Sequence, residues 1–334
     1  MPISHPLDAL VSKLKSAKKI LLTTHVRPDG DALGTVAAMS LALRALGMQT
    51  EILLLSHLPT KYGFVLNEPG LAHYDAEKGW PAGLDLNAFD TLLVCDTGTW
   101  SQLPGMKERV EAFGGQKLVL DHHLTQENWA DLKLVDTAAA AAGEIAAEVI
   151  EALGVAIDAA IAQALYVAVV SDTGWFEFSN TRPQTHRLAA RLMETGIDTD
   201  RLYQRLNQNE RAARLRLQAR AMQSLELLAG DRVAVMSVGK DDFAAAGARV
   251  TDTENMVNVP LMVGSVGVSV LITDDPDSGG IVRVSFRSKG QIDCAAFAQQ
   301  FGGGGHARAA GAKIKGTLAE VRTTLKNKLA AALG

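Results

Sequence analysis

The sequence predicts an α/β protein in two parts: an N-terminal parallel sheet with helices on both faces, then a helical linker and a smaller mixed-sheet α/β domain. Three observations carry this expectation. Short apolar runs alternate with helix-like segments through the first half. Several of those runs end at Asp or His, where an open parallel sheet binds its ligands. After Arg232 the pattern changes to strand-like stretches broken by Gly- and Asp-rich turns. With 334 residues the chain can build two cores, and its 47% apolar content excludes global disorder.

In chain order, Lys19–Thr24 reads as a buried strand ending at His25. Gly34–Gly47 carries a helical pattern through Val36, Met39, Leu43 and Leu46, and Glu51–Leu55 starts another strand. Thr91–Cys95 is a short apolar run terminating at Asp96, and Lys117–Leu120 repeats the arrangement into Asp121. Ala138–Leu153 is alanine-rich and predicts a helix. Ala162–Val170 is a strand-like apolar run into Asp172, although periodicity leaves its first half open between helix and strand. Thr185–Glu194 reads as a helix stopped by Gly196. The polar, arginine-rich stretch Asp198–Leu228 predicts one or two linker helices. Strands follow at 233–238, 266–273 and 281–288, with Asp-Pro-Asp-Ser-Gly-Gly as the loop between the last two. Helices are expected at 294–301 and 318–333, and the domain boundary falls between residues 190 and 230.

Bulk properties narrow the function classes. A net charge of −4 argues against an extended nonspecific nucleic-acid surface. From Gly230 onward there are 12 Lys/Arg against 10 Asp/Glu, and before it 21 against 27. An acidic part suited to metals beside a slightly basic part suited to phosphate fits that distribution. Cys95 and Cys294 lie too far apart for a disulfide framework or zinc spacing, so buried thiols in a reducing cytoplasm are expected. The opening Met-Pro-Ile-Ser-His-Pro does not read as a secretory signal, and Asp158 and Gln163 interrupt the nearest approach to a membrane span.

The chemistry centres on Asp121-His122-His123, joined by His25-Val26-Arg27-Pro28-Asp29-Gly30-Asp31, Asp96 and Asp172. Pro28 and Gly30 favour a tight turn that can aim an imidazole and two carboxylates into one pocket, though a solvated loop would look similar. Asp96-Thr97-Gly98 and Asp172-Thr173-Gly174 repeat one short motif, and capping or turn formation would explain either alone. Jointly, clustered carboxylates repel and lose hydration unless divalent cations reverse the sign. Their oxygen and imidazole donors suit manganese, magnesium, iron or zinc. Two ions about 3.5–4 Å apart, bridged by a carboxylate, would activate water for in-line attack at phosphorus. Asp96 is the expected bridge. His123 is expected to contact phosphate or assist proton transfer, with an orienting role as the alternative.

A second signal is Gly302-Gly303-Gly304-Gly305-His306-Ala307-Arg308, whose glycines would let backbone N–H groups approach an anion, unless they serve as a hinge. Arg283, Arg287 and Lys289 alternate along one face of a candidate strand, which is either a track for a charged substrate or a solvated face.

The run His25–Gly34, the Asp121-His122-His123 triplet and Gly302–His306, in that order, resemble the DHH/DHHA1 phosphoesterase family, in its compact nanoRNase/pAp-phosphatase branch. The resemblance covers nearly the whole chain. It implies a DHH catalytic domain at 15–187, a helical linker at 188–219 and a DHHA1 substrate-binding domain at 220–332, with catalysis in a cleft between two lobes. It further implies that His25, Asp29 and Asp96 hold one metal ion, and that Asp31, Asp96, His122 and Asp172 hold a second. Manganese is the expected ion, with magnesium, iron and cobalt also compatible. His123 is implied on the substrate side, and Arg283, Ser285, Arg287, Gly304, Gly305 and His306 are implied to grip the terminal phosphate or base. Such enzymes degrade very short oligoribonucleotides to mononucleotides, and many remove the 3′ phosphate of 3′-phosphoadenosine 5′-phosphate (pAp). A linear or cyclic dinucleotide phosphodiesterase, an inorganic pyrophosphatase and a metal-stabilised nucleotide sensor without turnover remain open. No stable long nucleic-acid partner and no membrane are expected, and a homodimer is left open. Trp100-Ser101-Gln102 departs from the charged residue many relatives carry near this loop; Trp100, like Trp175 and Phe176, could stack on a base or serve as a hydrophobic plug or dimer contact.

Overall fold

The computed structural model describes residues 6–274 and 279–333, so most of the expected loop at 275–280 and the N-terminal pentapeptide lie outside the described residues. The chain divides into two compact units, Met1–Asn209 and Glu210–Gly334.

The first unit contains β1 (Lys19–Thr23), β2 (Gln49–Leu54), β3 (His73–Asp75), β4 (Thr91–Cys95), β5 (Gln116–Asp121) and β6 (Leu132–Val135), and helices α1 (Pro6–Ser16), α2 (Gly30–Ala45), α3 (Lys107–Ala112), α4 (Ala142–Ala152), α5 (Ala159–Asp172), α6 (Pro183–Glu194) and α7 (Thr199–Asn207). The strands run in the order β3-β2-β1-β4-β5-β6, and every pairing is parallel. Because successive strand residues point to opposite faces, Ile20, Leu22, Leu93 and Leu118 enter the core under α1, α2, α4 and α5. Leu21, Leu92, Val94 and Val119 enter a second core that Met106, Val110 and Phe113 close around α3. Burial on both faces explains why these strands read as continuous apolar runs. The chain order reverses between β1 and β4, and at such a point the loops diverge and leave a crevice beyond the carboxyl ends of the strands.

Three expectations are corrected. Asp172 closes a helix, not a strand: the apolar run before it is α5. Apart from the half-buried Gln163, that helix is buried from Ile161 to Val170, so it lacks the polar stripe that reveals a surface helix. Helix α2 begins at Gly30, ahead of the expected Gly34, because the Asp29 carboxylate accepts hydrogen bonds from Asp31 N and Ala32 N and caps it. Helix α4 starts only at Ala142, behind an extended Ala141.

The second unit contains α8 (Ala212–Gln223), β7 (Glu226–Leu228), β8 (Val233–Val238), α9 (Lys240–Ala246), β9 (Val268–Asp274), β10 (Ile281–Ser288), α10 (Cys294–Gln299), β11 (Gly304–His306), β12 (Ala309–Lys315) and α11 (Leu318–Leu333). The end of the expected linker is therefore strand: Leu227 and Leu228 sit in β7 at the edge of a mixed sheet ordered β11-β12-β10-β9-β8-β7. Only β8 and β9 pair in parallel. One face packs Val270, Val284 and Phe286 against Phe297 of α10 and Leu325 of α11. The other packs Met236 and Leu271 against Leu217 of α8 and Phe243 of α9. Among the described residues, no helix is long and apolar enough to cross a membrane.

Candidate active site

Five elements of the first unit, β1, β4, β5, α2 and α5, deliver polar groups to one cluster at the carboxyl ends of the strands. His25 follows β1, Asp96 follows β4, and Asp121-His122-His123 closes β5. Asp29 and Asp31 sit at the start of α2, and Asp172 at the end of α5. Helices α2 and α5 can bring their ends together because small residues line their contact. A Cβ on Gly34 would fall 2.4 Å from the Ala164 carbonyl oxygen, and one on Gly30 would strike the Ser171 hydroxyl. Asp31 and Asp172 thereby enter one cluster.

Three overlapping groups have ligand-type atoms within 4.8 Å of one another: His25, Asp29 and Asp96; Asp31, His122 and Asp172; and Asp96, His122 and His123. All six residues expected to hold metal are thus brought together. Asp96 lies between the first two groups. Its Oδ2 is 3.4 Å from His25 Nε2, and its Oδ1 is 3.4 Å from His122 Nε2. His122 Nε2 is also 3.3 Å from Asp172 Oδ2 and 3.7 Å from Asp31 Oδ2. Asp96 adopts φ 62°, a left-handed backbone that Asp tolerates better than most residues, and its N–H still bonds Leu120 O in the sheet.

The two histidines are oriented alike. His25 Nδ1 lies 3.0 Å from Val26 O and His122 Nδ1 lies 3.3 Å from Ala139 O. A ring nitrogen that donates to a carbonyl leaves Nε2 to face the carboxylates. Asp31 is fully buried and accepts from Ala142 N, Gly143 N and the Thr35 hydroxyl.

The electrostatics are under tension. Burial, then the nearby Asp96 and Asp172 charges, pushes the Asp31 carboxyl well above its usual range. Burial and Asp96 likewise push Asp172 up to about 6. Burial disfavours the charged imidazoles, yet the surrounding groups together outweigh it, Asp96 with Val26 O and Asp29 raising His25 to about 9, and Asp96 with Asp31 and Asp172 raising His122 to about 10. Burial would raise Asp96 too, but the positive imidazoles of His122 and His25 facing it bring it below the usual carboxylate value. Even so, Asp96 Oδ1 and His122 Nε2 are buried without a hydrogen-bond partner. Buried polar atoms are rarely left in that state. Donor atoms sharing a divalent ion at about 2.1 Å would stand about 3 Å or more apart, so the spacings here and the carboxylate–imidazole chemistry fit such ions.

The fifth carboxylate of the sequence pattern does different work. Asp121 Oδ1 accepts from His122 N, His123 N and His123 Nδ1 at 2.8, 3.2 and 2.8 Å, and Oδ2 accepts from Gln126. Asp121 therefore builds the turn and fixes the His123 ring, half exposed, with Nε2 left for another partner. The hydrogen bond to Asp121 raises the His123 pKa. The aromatic residues are taken up by packing: Trp100 lies 4.9 Å from Trp129, Trp175 lies 4.8 Å from Tyr203, and Phe176 stacks on His186. A cavity of about 640 Å³ beside Asp90, Gln116 and Asp131 lies at the opposite ends of the strands and shares no residue with the cluster.

In the second unit, strand register gathers most of the expected substrate residues on one sheet face. Ser285 pairs with Gly311 and Gly311 with Gly304; Arg287 pairs with Ala309 and Ala309 with His306. Arg283 is two residues further along that face, opposite Lys313. A cavity of about 360 Å³ is lined by Arg283, Ser285, Gly302, Gly303 and Lys313. Gly305 falls in the adjacent row with Ala310 and the buried Phe286, where a Cβ would lie 2.5 Å from Ala309 O. The glycines are thus needed partly for strand packing.

Fold and cluster together define a hydrolytic enzyme of the phosphoesterase class. The chain belongs to the DHH family: residues 19–169 match the DHH family, N-terminal domain, and residues 230–333 match the DHHA1 domain. It is 32% identical over 297 residues to the bifunctional oligoribonuclease and PAP phosphatase NrnA of Thermus thermophilus, covering 89% of this chain and 84% of that one. Identity to the protein of the same name from Bacillus subtilis is 26%, with 91% and 92% covered. The fold is similar to that of an exopolyphosphatase-related protein from Bacteroides fragilis, with TM-score 0.86 at 24% identity over 98% and 97% of the two chains.

Proposed function

We propose that this protein is a two-metal phosphoesterase that degrades very short oligoribonucleotides to mononucleotides and removes the 3′ phosphate of pAp. The observation that carries the reading is Asp96, whose two carboxylate oxygens face two different histidines, each within a separate acidic group. The names of the relatives add the substrate class.

In this reading His25, Asp29 and Asp96 hold one divalent ion, and Asp31, His122, Asp172 and the same Asp96 hold the other, with manganese the expected metal. Such a pair supplies an activated water and neutralises charge developing on the phosphate oxygens. Asp96 keeps the two halves at a fixed separation. His25 and His122 keep Nε2 inward because their Nδ1 atoms are engaged by carbonyls. His123, held by Asp121, offers Nε2 to a phosphate oxygen or to the departing ribose oxygen, where it can leave a proton. On the second unit, Arg283, Ser285, Arg287 and His306 form one polar row suited to a second phosphate or a base, with the backbones of Gly304 and Gly305 beside it.

A manganese-supplemented panel of pAp, pApA, pGpG, RNAs of two to five nucleotides and a longer RNA tests the proposal, with products separated chromatographically. The expected result is AMP and phosphate from pAp and mononucleotides from the short RNAs, with little cleavage of the long one. No hydrolysis of any member, or hydrolysis only of pyrophosphate run beside the panel, would reject it.

A further inference from the structure

Behind the cluster, one short segment touches two of its members, and Asn180 links that segment to a third. Ala139 O faces His122 Nδ1 at 3.3 Å, and Ala142 N and Gly143 N donate to Asp31 at 2.6 and 2.9 Å. Asn180 Nδ2 donates both to Ala140 O, at 3.0 Å, and to the main-chain oxygen of Asp172, at 3.1 Å. The segment is itself held from behind. Glu144 Oε2 accepts from Ala140 N at 3.0 Å and from Arg182 Nη2 at 2.7 Å. Glu144 is 7% exposed, and its other oxygen and Arg182 Nε are buried without partners. None of these contacts reaches His25 or Asp29.

We infer that Glu144, Arg182 and Asn180 are positioning residues that brace Asp31, His122 and Asp172, and so set the affinity of one metal site of the pair while leaving the other to its own supports. The inference rests on the two-ion reading above. Its physical basis is that outer partners of metal ligands fix ring orientation and carboxylate direction, and that losing one costs on the order of 10–100-fold in metal affinity. A buried ion pair contributes little net stability when both partners are replaced by neutral groups of similar size, but it holds a geometry. Removing Arg182 alone would strand the Glu144 charge, so both must be neutralised together.

The test is an equilibrium titration of the metal-free full chain with Mn²⁺, followed by electron paramagnetic resonance, for wild type, Asn180→Ala and the double variant Glu144→Gln/Arg182→Met. Thermal melting in EDTA is recorded beside each. Wild type is expected to bind two ions per chain. Each variant is expected to weaken one of them by about 10–100-fold, leaving the other and the melting temperature in EDTA close to wild type. Unchanged two-site binding in both variants would overturn the inference. So would an equal loss at both sites that tracks a lower melting temperature, which would make the residues a general support of the unit. A wild-type protein that binds no Mn²⁺ would instead take down the two-ion reading, and the inference with it.

Discussion

Asp96 Oδ1 and His122 Nε2 lie 3.4 Å apart, both buried and neither with a hydrogen-bond partner. The distance is long for a hydrogen bond, and an uncompensated pair would pull together or admit water. The same carboxylate stands equally far from His25 through its other oxygen. In the two-ion reading proposed above, a carboxylate shared between the ions would account for both spacings.

Asp96→Asn removes the charge while keeping the shape. Because Asn also tolerates the left-handed backbone at φ 62°, strain should not confuse the result. Turnover of pAp and pApA under saturating Mn²⁺ is expected to fall by more than the roughly 100-fold that losing an outer partner costs. Wild-type rates in this variant would remove Asp96 from the mechanism.

His123→Ala tests proton transfer separately from metal binding. A general acid contributes about 10²–10⁴-fold to rate, so kcat should drop within that range while Mn²⁺ affinity stays near wild type. A raised KM with unchanged kcat would reassign His123 to substrate contact alone.

Metal should also stabilise the fold. Asp31, Asp96 and Asp172 repel one another at close range, and burial adds to the cost of their charges. Melting in EDTA should therefore occur below melting in Mn²⁺, with a difference that grows with metal concentration. One site occupied at 100 times its dissociation constant contributes about 2.7 kcal/mol. A melting temperature indifferent to Mn²⁺ would contradict occupancy of the cluster.

Gly34→Ala tests the helix contact that delivers Asp31 and Asp172. The added methyl meets backbone 2.4 Å away, at Ala164 O, so α2 and α5 must separate. Overpacking of this kind costs about 1–3 kcal/mol, and a lowered melting temperature should be accompanied by reduced turnover. Unchanged melting and activity would show that the contact has slack.

Much of this was legible before the structure, for physical reasons. The ends of β1, β4 and β5 announce themselves because fully buried strands are short apolar runs and the ligands follow at once. Helix α5 is hidden by the same logic: buried almost all round, with Gln163 its one partly exposed residue between Ile161 and Val170, it has no period to read. The start of α2 is masked because Pro28-Asp29-Gly30 has turn composition, whereas Asp29 is a helix cap. Glu144, Arg182 and Asn180 gave no local signal, since their partners are brought close only by folding. Asp121 was visible within its triplet, but its orienting role emerges only from its four hydrogen bonds.

The most direct test follows AMP release from pApA while the metal-free protein is titrated with Mn²⁺ at protein concentrations well above the dissociation constants. If paired ions straddle Asp96, activity stays low through the first equivalent and reaches its plateau at two per chain. Full activity at one equivalent, or activity that persists without metal, would contradict the account.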